Sequence, residues 1–145
     1  MTVKLVVGID GGGTGNRALS YARKVARLIG DCELVLVFVI EWSPYSFHTA
    51  EENEQRQKRR VEEIDSARTR ILDPALAEMK SEGIAARGIV RHGNVADLLN
   101  SVALEEGAEQ IIVARSSDGG FAARVFGSST ANLVMTASVP VTVVG

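Results

Sequence analysis

The chain alternates between unbroken apolar runs and longer stretches in which apolar residues recur every three to four positions. Runs of the first kind suit strands buried on both faces, and stretches of the second kind suit helices with one buried stripe. Val3–Ile9 is the first run, interrupted only by Lys4, and Gly11-Gly12-Gly13-Thr14-Gly15 ends it. Ala18, Leu19, Ala22, Val25, Ala26 and Ile29 then follow at helical spacing, and Gly30 closes that helix. Glu33–Ile40 holds a second buried strand, and Trp42–Ala50 reads as an aromatic loop with one proline. From Glu51 to Glu82 the period is helical, with Val61, Ile64, Ala67, Ile71 and Leu72 on one side and Pro74 placed to bend or interrupt the helix. Ile84–Arg91 is a third strand, Ala96–Glu106 a helix, Gln110–Ala114 a fourth strand, Ser128–Thr136 a helix and Val139–Val144 a last strand.

Five strands separated by four helical segments predict right-handed βαβ crossovers. The fold class is therefore α/β: a single-domain, Rossmann-like, doubly wound five-stranded parallel sheet with helices on both faces. Residues 1–145 carry no linker, repeat or low-complexity tract, and that length suits one domain with a sizeable core. Hydrophobic residues make up 46% and charged residues 23%, ordinary values for a soluble globular protein. A formal net charge of −2 provides no global attraction to nucleic acid or anionic lipid. No apolar run reaches the roughly 18 residues a membrane span needs. The apolar N-terminal run meets Asp10 too early for a signal peptide. The single Cys32 makes no internal disulfide and fits a reducing, cytoplasmic setting.

Ligands of such sheets sit beyond the carboxyl ends of the strands, where strand order reverses. Two signals fall there. Asp10 ends the first strand. The segment from Val113 and Ala114 through Ser117 to Gly127, Ser128, Ser129 and Thr130 leaves the fourth strand and delivers a Gly-Ser-Ser-Thr run to a helix start. Free N–H groups and the positive end of the helix dipole make that a place for an anion.

Other patterns carry less. Gly8-Ile9-Asp10-Gly11-Gly12-Gly13-Thr14-Gly15 looks like a phosphate loop of actin-like sugar kinases, but the helical Asn16–Leu28 replaces the hairpin that fold requires. Gly13-Thr14-Gly15-Asn16-Arg17-Ala18 fits a dinucleotide pattern short enough to arise by chance, and no second domain is there to hold a hydride donor or acceptor. His48 and His92 have no partner at metal spacing and read as surface or loop residues, so no metal site is expected. Arg56, Lys58, Arg59 and Arg60 are interleaved with glutamates, the pattern of a solvated helix face. Trp42, Tyr45 and Phe47 read as packing residues ahead of ligand contacts.

Over essentially its whole length the chain resembles the universal stress protein family. Asp10-Gly11 with Gly12, Gly15, Ala18 and Leu19 resembles that family's first turn and helix, and Phe38-Val39-Ile40-Glu41 its second strand end. Gly93-Asn94-Val95 with Leu98 or Leu99 resembles the turn into its third helix, and Gly127-Ser128 with Val139-Pro140-Val141-Thr142-Val143-Val144 its C-terminal signature. The ATP-binding branch carries a glycine, two residues, a second glycine, nine residues and then Gly-Ser or Gly-Thr. In this chain Ala114 and Ser117 occupy the two glycine positions, while Gly127-Ser128 completes the motif. A glycine at a left-handed position is replaced by Ala or Ser at a cost of about 1 kcal/mol or more, whereas at negative φ the replacement is harmless.

The resemblance implies an adenine nucleotide alpha-hydrolase-like fold and a cytoplasmic, ATP-binding or other adenine-nucleotide-binding homodimer acting in the stress response. It implies Asp10 on the ribose hydroxyls, backbone groups of Val39 on the adenine, and Gly8 and Val113 lining the base pocket. Ser117, Gly127, Ser128 and Ser129 would hold the phosphates, with Thr130 close behind and magnesium as a companion of a triphosphate. Asp10 and Ser128 or Ser129 equally suit helix caps. The alternative is a nucleotide-free member acting as a protein-interaction module. Enzymatic action, at most slow ATP hydrolysis, is the least expected, since Asp118 alone stands near the phosphates as a candidate base. Val139–Val144 is expected to be an apolar edge strand through which two copies pair.

Overall fold

A computed structural model of the chain describes residues 2–9, 13–41, 50–115 and 128–145. Five strands, β1 (Val3–Ile9), β2 (Cys32–Glu41), β3 (Ala85–Gly93), β4 (Gln110–Ala114) and β5 (Val141–Val144), form one sheet in the order β3-β2-β1-β4-β5. Every neighbouring pair is parallel. The helices are α1 (Gly13–Ile29), α2 (Ala50–Ala67), α3 (Asp73–Ser81), α4 (Val95–Glu106) and α5 (Ser128–Thr136).

The unbroken apolar runs are strands buried on both faces. On one face Leu5, Val7, Leu34, Leu36 and Ile112 pack against Ala18, Leu19, Ala22 and Ala26 of α1 and Leu72 and Met79 beside α3. On the other, Val6, Val35, Val37, Ile111 and Val113 pack against Ala96, Leu99, Val102 and Ala103 of α4 and Leu133 of α5. Side chains alternate strictly across a strand, so each strand serves two cores. The expected doubly wound α/β architecture is therefore the observed one.

Local chemistry sets the helix ends. Gly30 adopts φ +87°, the left-handed conformation that stops α1. Asn94 caps α4 by accepting from Asp97 N at 3.0 Å.

The structure departs from the sequence reading in several places. The long second helical stretch stays helical through Pro74. It widens into a π-helical turn over Arg68–Leu72, where Asp73 N–H donates to Arg68 O, and continues as α3 with Pro74 in its first turn. A wider turn accommodates the ring that would otherwise press on the carbonyl four residues back. Val61, expected on the buried stripe, is 57% exposed. It lies six residues before Ala67, a third of a turn out of phase at 3.6 residues per turn. The last strand begins at Val141 instead of Val139, because Pro140 has no N–H to donate and contributes only its carbonyl, which accepts from Ile111 N at 2.9 Å.

One charge network ties the strands to α4. Arg87 Nε donates to Glu33 Oε1 at 3.0 Å, Arg87 Nη2 donates to Glu106 Oε2, and Lys4 Nζ reaches the same oxygen at 3.3 Å. It joins β1, β2, β3 and α4. The hydrogen bond from Arg87 holds the Glu106 carboxyl below the usual glutamate range, against the opposing effect of partial burial. Burial, with help from Asp31 and Glu33, pushes the Cys32 thiol up, so it stays protonated and inert inside the first core.

A folded-state pKa below the unfolded one stabilises the protein above the unfolded value of about 4.3 and is lost as pH falls through the folded one. Glu106→Gln is expected to lower stability at pH 7 by about 1 kcal/mol and to flatten the loss of stability on acidification below about pH 4, as read from urea unfolding at both pH values.

Candidate functional site

The site is assembled where the strand order reverses. From β1 the chain proceeds outward through β2 to β3, then returns to place β4 on the other side of β1. A crevice at the carboxyl ends of β1 and β4 follows from that reversal.

Three of the candidate residues share one sheet face there. Gly8 lies beside Val37 in register, and residues two apart face the same way, so Gly8 continues the face of Val6 and Val39 continues that of Val37. Val113 lies on the same face, 7% exposed. A Cβ at position 8 would stand 3.0 Å from Val113 Cγ1 and 3.2 Å from Leu99 Cδ1. A glycine at this point therefore lets α4 close over the junction of β1 and β4, whatever else it does.

α5 covers this same face through buried Leu133. Its carboxyl end is clasped to α4: Ser138 N–H donates to Asn100 Oδ1 at 2.8 Å, and Asn100 Nδ2 donates to Ser138 Oγ at 3.4 Å. With α5 held in that way, Ser129 and Thr130 sit half-buried in its first turn. Ser128 opens the helix. Asp10, Ser117 and Gly127 lie outside the described residues, as do Asp118 and the aromatic segment from Trp42 to residue 49.

Ala114 is set apart. It is partly buried against the first core, on the α1 side, and so faces away from Gly8, Val39 and Val113. Among the described residues no residue other than glycine has positive φ, so an alanine in place of the family's first glycine carries no backbone strain.

The site also has a support that sequence reading did not identify. Arg17 of α1 donates from Nη2 to Arg115 O at 2.6 Å, and Arg115 N–H donates to Val144 O at 2.8 Å. Both main-chain groups of the residue just past β4 are thereby anchored. No local signal marks this contact, because its partners are 98 residues apart. His92, read as a surface or loop residue, ends up in β3 with a side chain only 13% exposed and Nε2 3.0 Å from Glu63 Oε2 of α2. Among the described residues no group of three His, Cys, Asp or Glu side chains is placed to hold a metal ion. No helix there is long and apolar enough to cross a membrane.

The model of the universal stress protein family matches residues 1–145. No curated protein matches the chain in sequence. Solved structures do share the fold. A universal stress protein from Lactobacillus plantarum superposes with a TM-score of 0.80 at 16% identity, covering 99% of this chain and 97% of its own. A universal stress protein in complex with cAMP gives 0.67 at 22% identity, with 99% and 96% covered. The universal stress protein from Archaeoglobus fulgidus in complex with dAMP gives 0.61 at 18% identity, with 100% and 98% covered.

Gly8→Val is expected to force Leu99 and Val113 apart and lower stability by roughly 1–3 kcal/mol, measured as a shift of the urea midpoint without a change in slope.

Proposed function

The chain belongs to the universal stress protein family, and we propose that it is a single-domain cytoplasmic regulator of the stress response that binds ATP or another adenine nucleotide and works as a homodimer. One observation carries the reading. Gly8, Val39 and Val113 lie on one sheet face at the strand-order reversal, and α5 covers that face through Leu133. In this reading the apolar face receives the base, with Gly8 and Val113 as its floor and backbone groups of Val39 on the adenine. Asp10 takes the ribose hydroxyls. Ser117, Gly127, Ser128 and Ser129 take the phosphates at the positive end of α5, with Thr130 behind them. Magnesium accompanies a triphosphate.

The family members solved with cAMP and with dAMP support the choice of an adenine nucleotide. The position of Ala114 supports it too, since its methyl group faces the α1 side and leaves the crevice clear. A second reading, an interaction module without nucleotide, rests on Ser117 in place of the family's second glycine.

The protein is expected to release stoichiometric adenine nucleotide on denaturation, or to bind ATP with magnesium in calorimetric titration after emptying. Asp10→Ala combined with Ser128→Ala is expected to weaken that binding at least tenfold. An unchanged affinity would place the nucleotide elsewhere. No nucleotide and no binding at millimolar ATP would leave the interaction module.

The homodimer reading rests on β5, which lies at the sheet edge with Val141, Val143 and Val144 half-exposed. An unpaired apolar edge favours strand addition. Sedimentation equilibrium at micromolar concentration is expected to give twice the chain mass, and a monomer there would remove the dimer.

A further inference from the structure

A second cleft lies away from the β1/β4 crevice, between the outer side of α1 and the end of β5. It is open, has a volume of about 400 Å³, and is lined by Arg17, Ser20, Tyr21, Lys24, Val144 and Gly145. The four polar side chains stand at helix positions i, i+3, i+4 and i+7, one continuous face of α1. This face flanks the buried stripe of Ala18, Leu19, Ala22 and Ala26.

Among the described residues every polar side chain in the cleft is a cation or a hydroxyl donor, and none that lines it is acidic. Elsewhere on the same helix the cations are neutralised: Arg23 pairs with Glu78 and Glu82, and Arg27 with Glu82. Among the described residues Arg17 and Lys24 form no ion pair, and Ser20 and Tyr21 make no side-chain hydrogen bond. Arg17 is already oriented by its hydrogen bond to Arg115 O, with its remaining N–H groups unspent. A donor held in place before binding costs less order on binding. Val144 and the Tyr21 ring supply an apolar wall beside these donors.

We propose that this cleft binds a small phosphate monoester carrying an apolar or aromatic group. Its phosphate would meet Arg17, Lys24 and the hydroxyl of Ser20 or Tyr21, and its body would lie against Val144. A phosphate dianion accepts several hydrogen bonds at once and suits this mixture of a planar guanidinium, a point charge and hydroxyls. The proposal does not depend on the nucleotide reading, because none of these residues is assigned a contact with the nucleotide, and Arg17 and Val144 meet that site only through the main chain of Arg115.

The test is titration of ¹⁵N-labelled protein with phenyl phosphate, followed by amide chemical shifts. Saturable shifts are expected at residues 17–24 and 144–145, with dissociation constants of about millimolar order. Benzyl alcohol, which lacks the phosphate, is expected to give none. Lys24 is exposed, so Lys24→Gln folds normally. It is expected to weaken binding about fivefold, and Lys24→Arg is expected to keep it. Shifts confined to Gly8, Ser129 and Thr130 would assign the anion to the sheet crevice and overturn the proposal. Non-saturating shifts, or an affinity unchanged by Lys24→Gln, would overturn it equally.

Discussion

The central strand β1 carries the constraint on which the other elements depend. It is hydrogen-bonded to β2 on one side and β4 on the other, and Leu5, Val6 and Val7 are fully buried, alternately in the α1 core and the α4 core. A strand with no exposed edge and no exposed face fixes its neighbours on all four sides. The positions of β2 and β4, and through them of every helix, follow from satisfying β1.

That same burial makes the crevice. The chain leaves β1 toward β2 and later returns to the opposite edge, so the connections diverge beyond the carboxyl ends of β1 and β4. Gly8 sits at this point. Its lack of a side chain lets Leu99 and Val113 close beneath the junction. The Asn100–Ser138 clasp then holds α5 on the same face, so the first turn of α5 is positioned by packing and hydrogen bonding far from its own N-terminus.

The charged residues divide their work by location. Arg87, Glu33, Glu106 and Lys4 bind three strands to α4, while Arg23 and Arg27 bind α1 to α3. Most of these side chains are partly exposed, so their contribution to stability is modest beside the two apolar cores. Their greater effect is on orientation: a helix joined to a strand at fixed polar points has one packing angle instead of several. Arg17 does the same at the exit from β4, where it secures the Arg115 carbonyl.

Most of the architecture was legible in the residue order. Continuous apolar runs such as Glu33–Ile40 suit a strand covered on both faces, and Gly30 marks a helix end because only glycine takes positive φ freely. Local composition likewise pointed to the carboxyl ends of β1 and β4, since turn glycines and a Gly-Ser-Ser-Thr run are local signals. What the sequence by itself did not determine depends on contacts between distant residues. The π-helical turn before Pro74, the exposure of Val61, the Arg17–Arg115 bond, the His92–Glu63 pair and the face on which Ala114 lies were all decided by tertiary structure. Periodicity specifies which residues share a face, but only packing decides what that face meets, because the partner is contributed by another part of the chain.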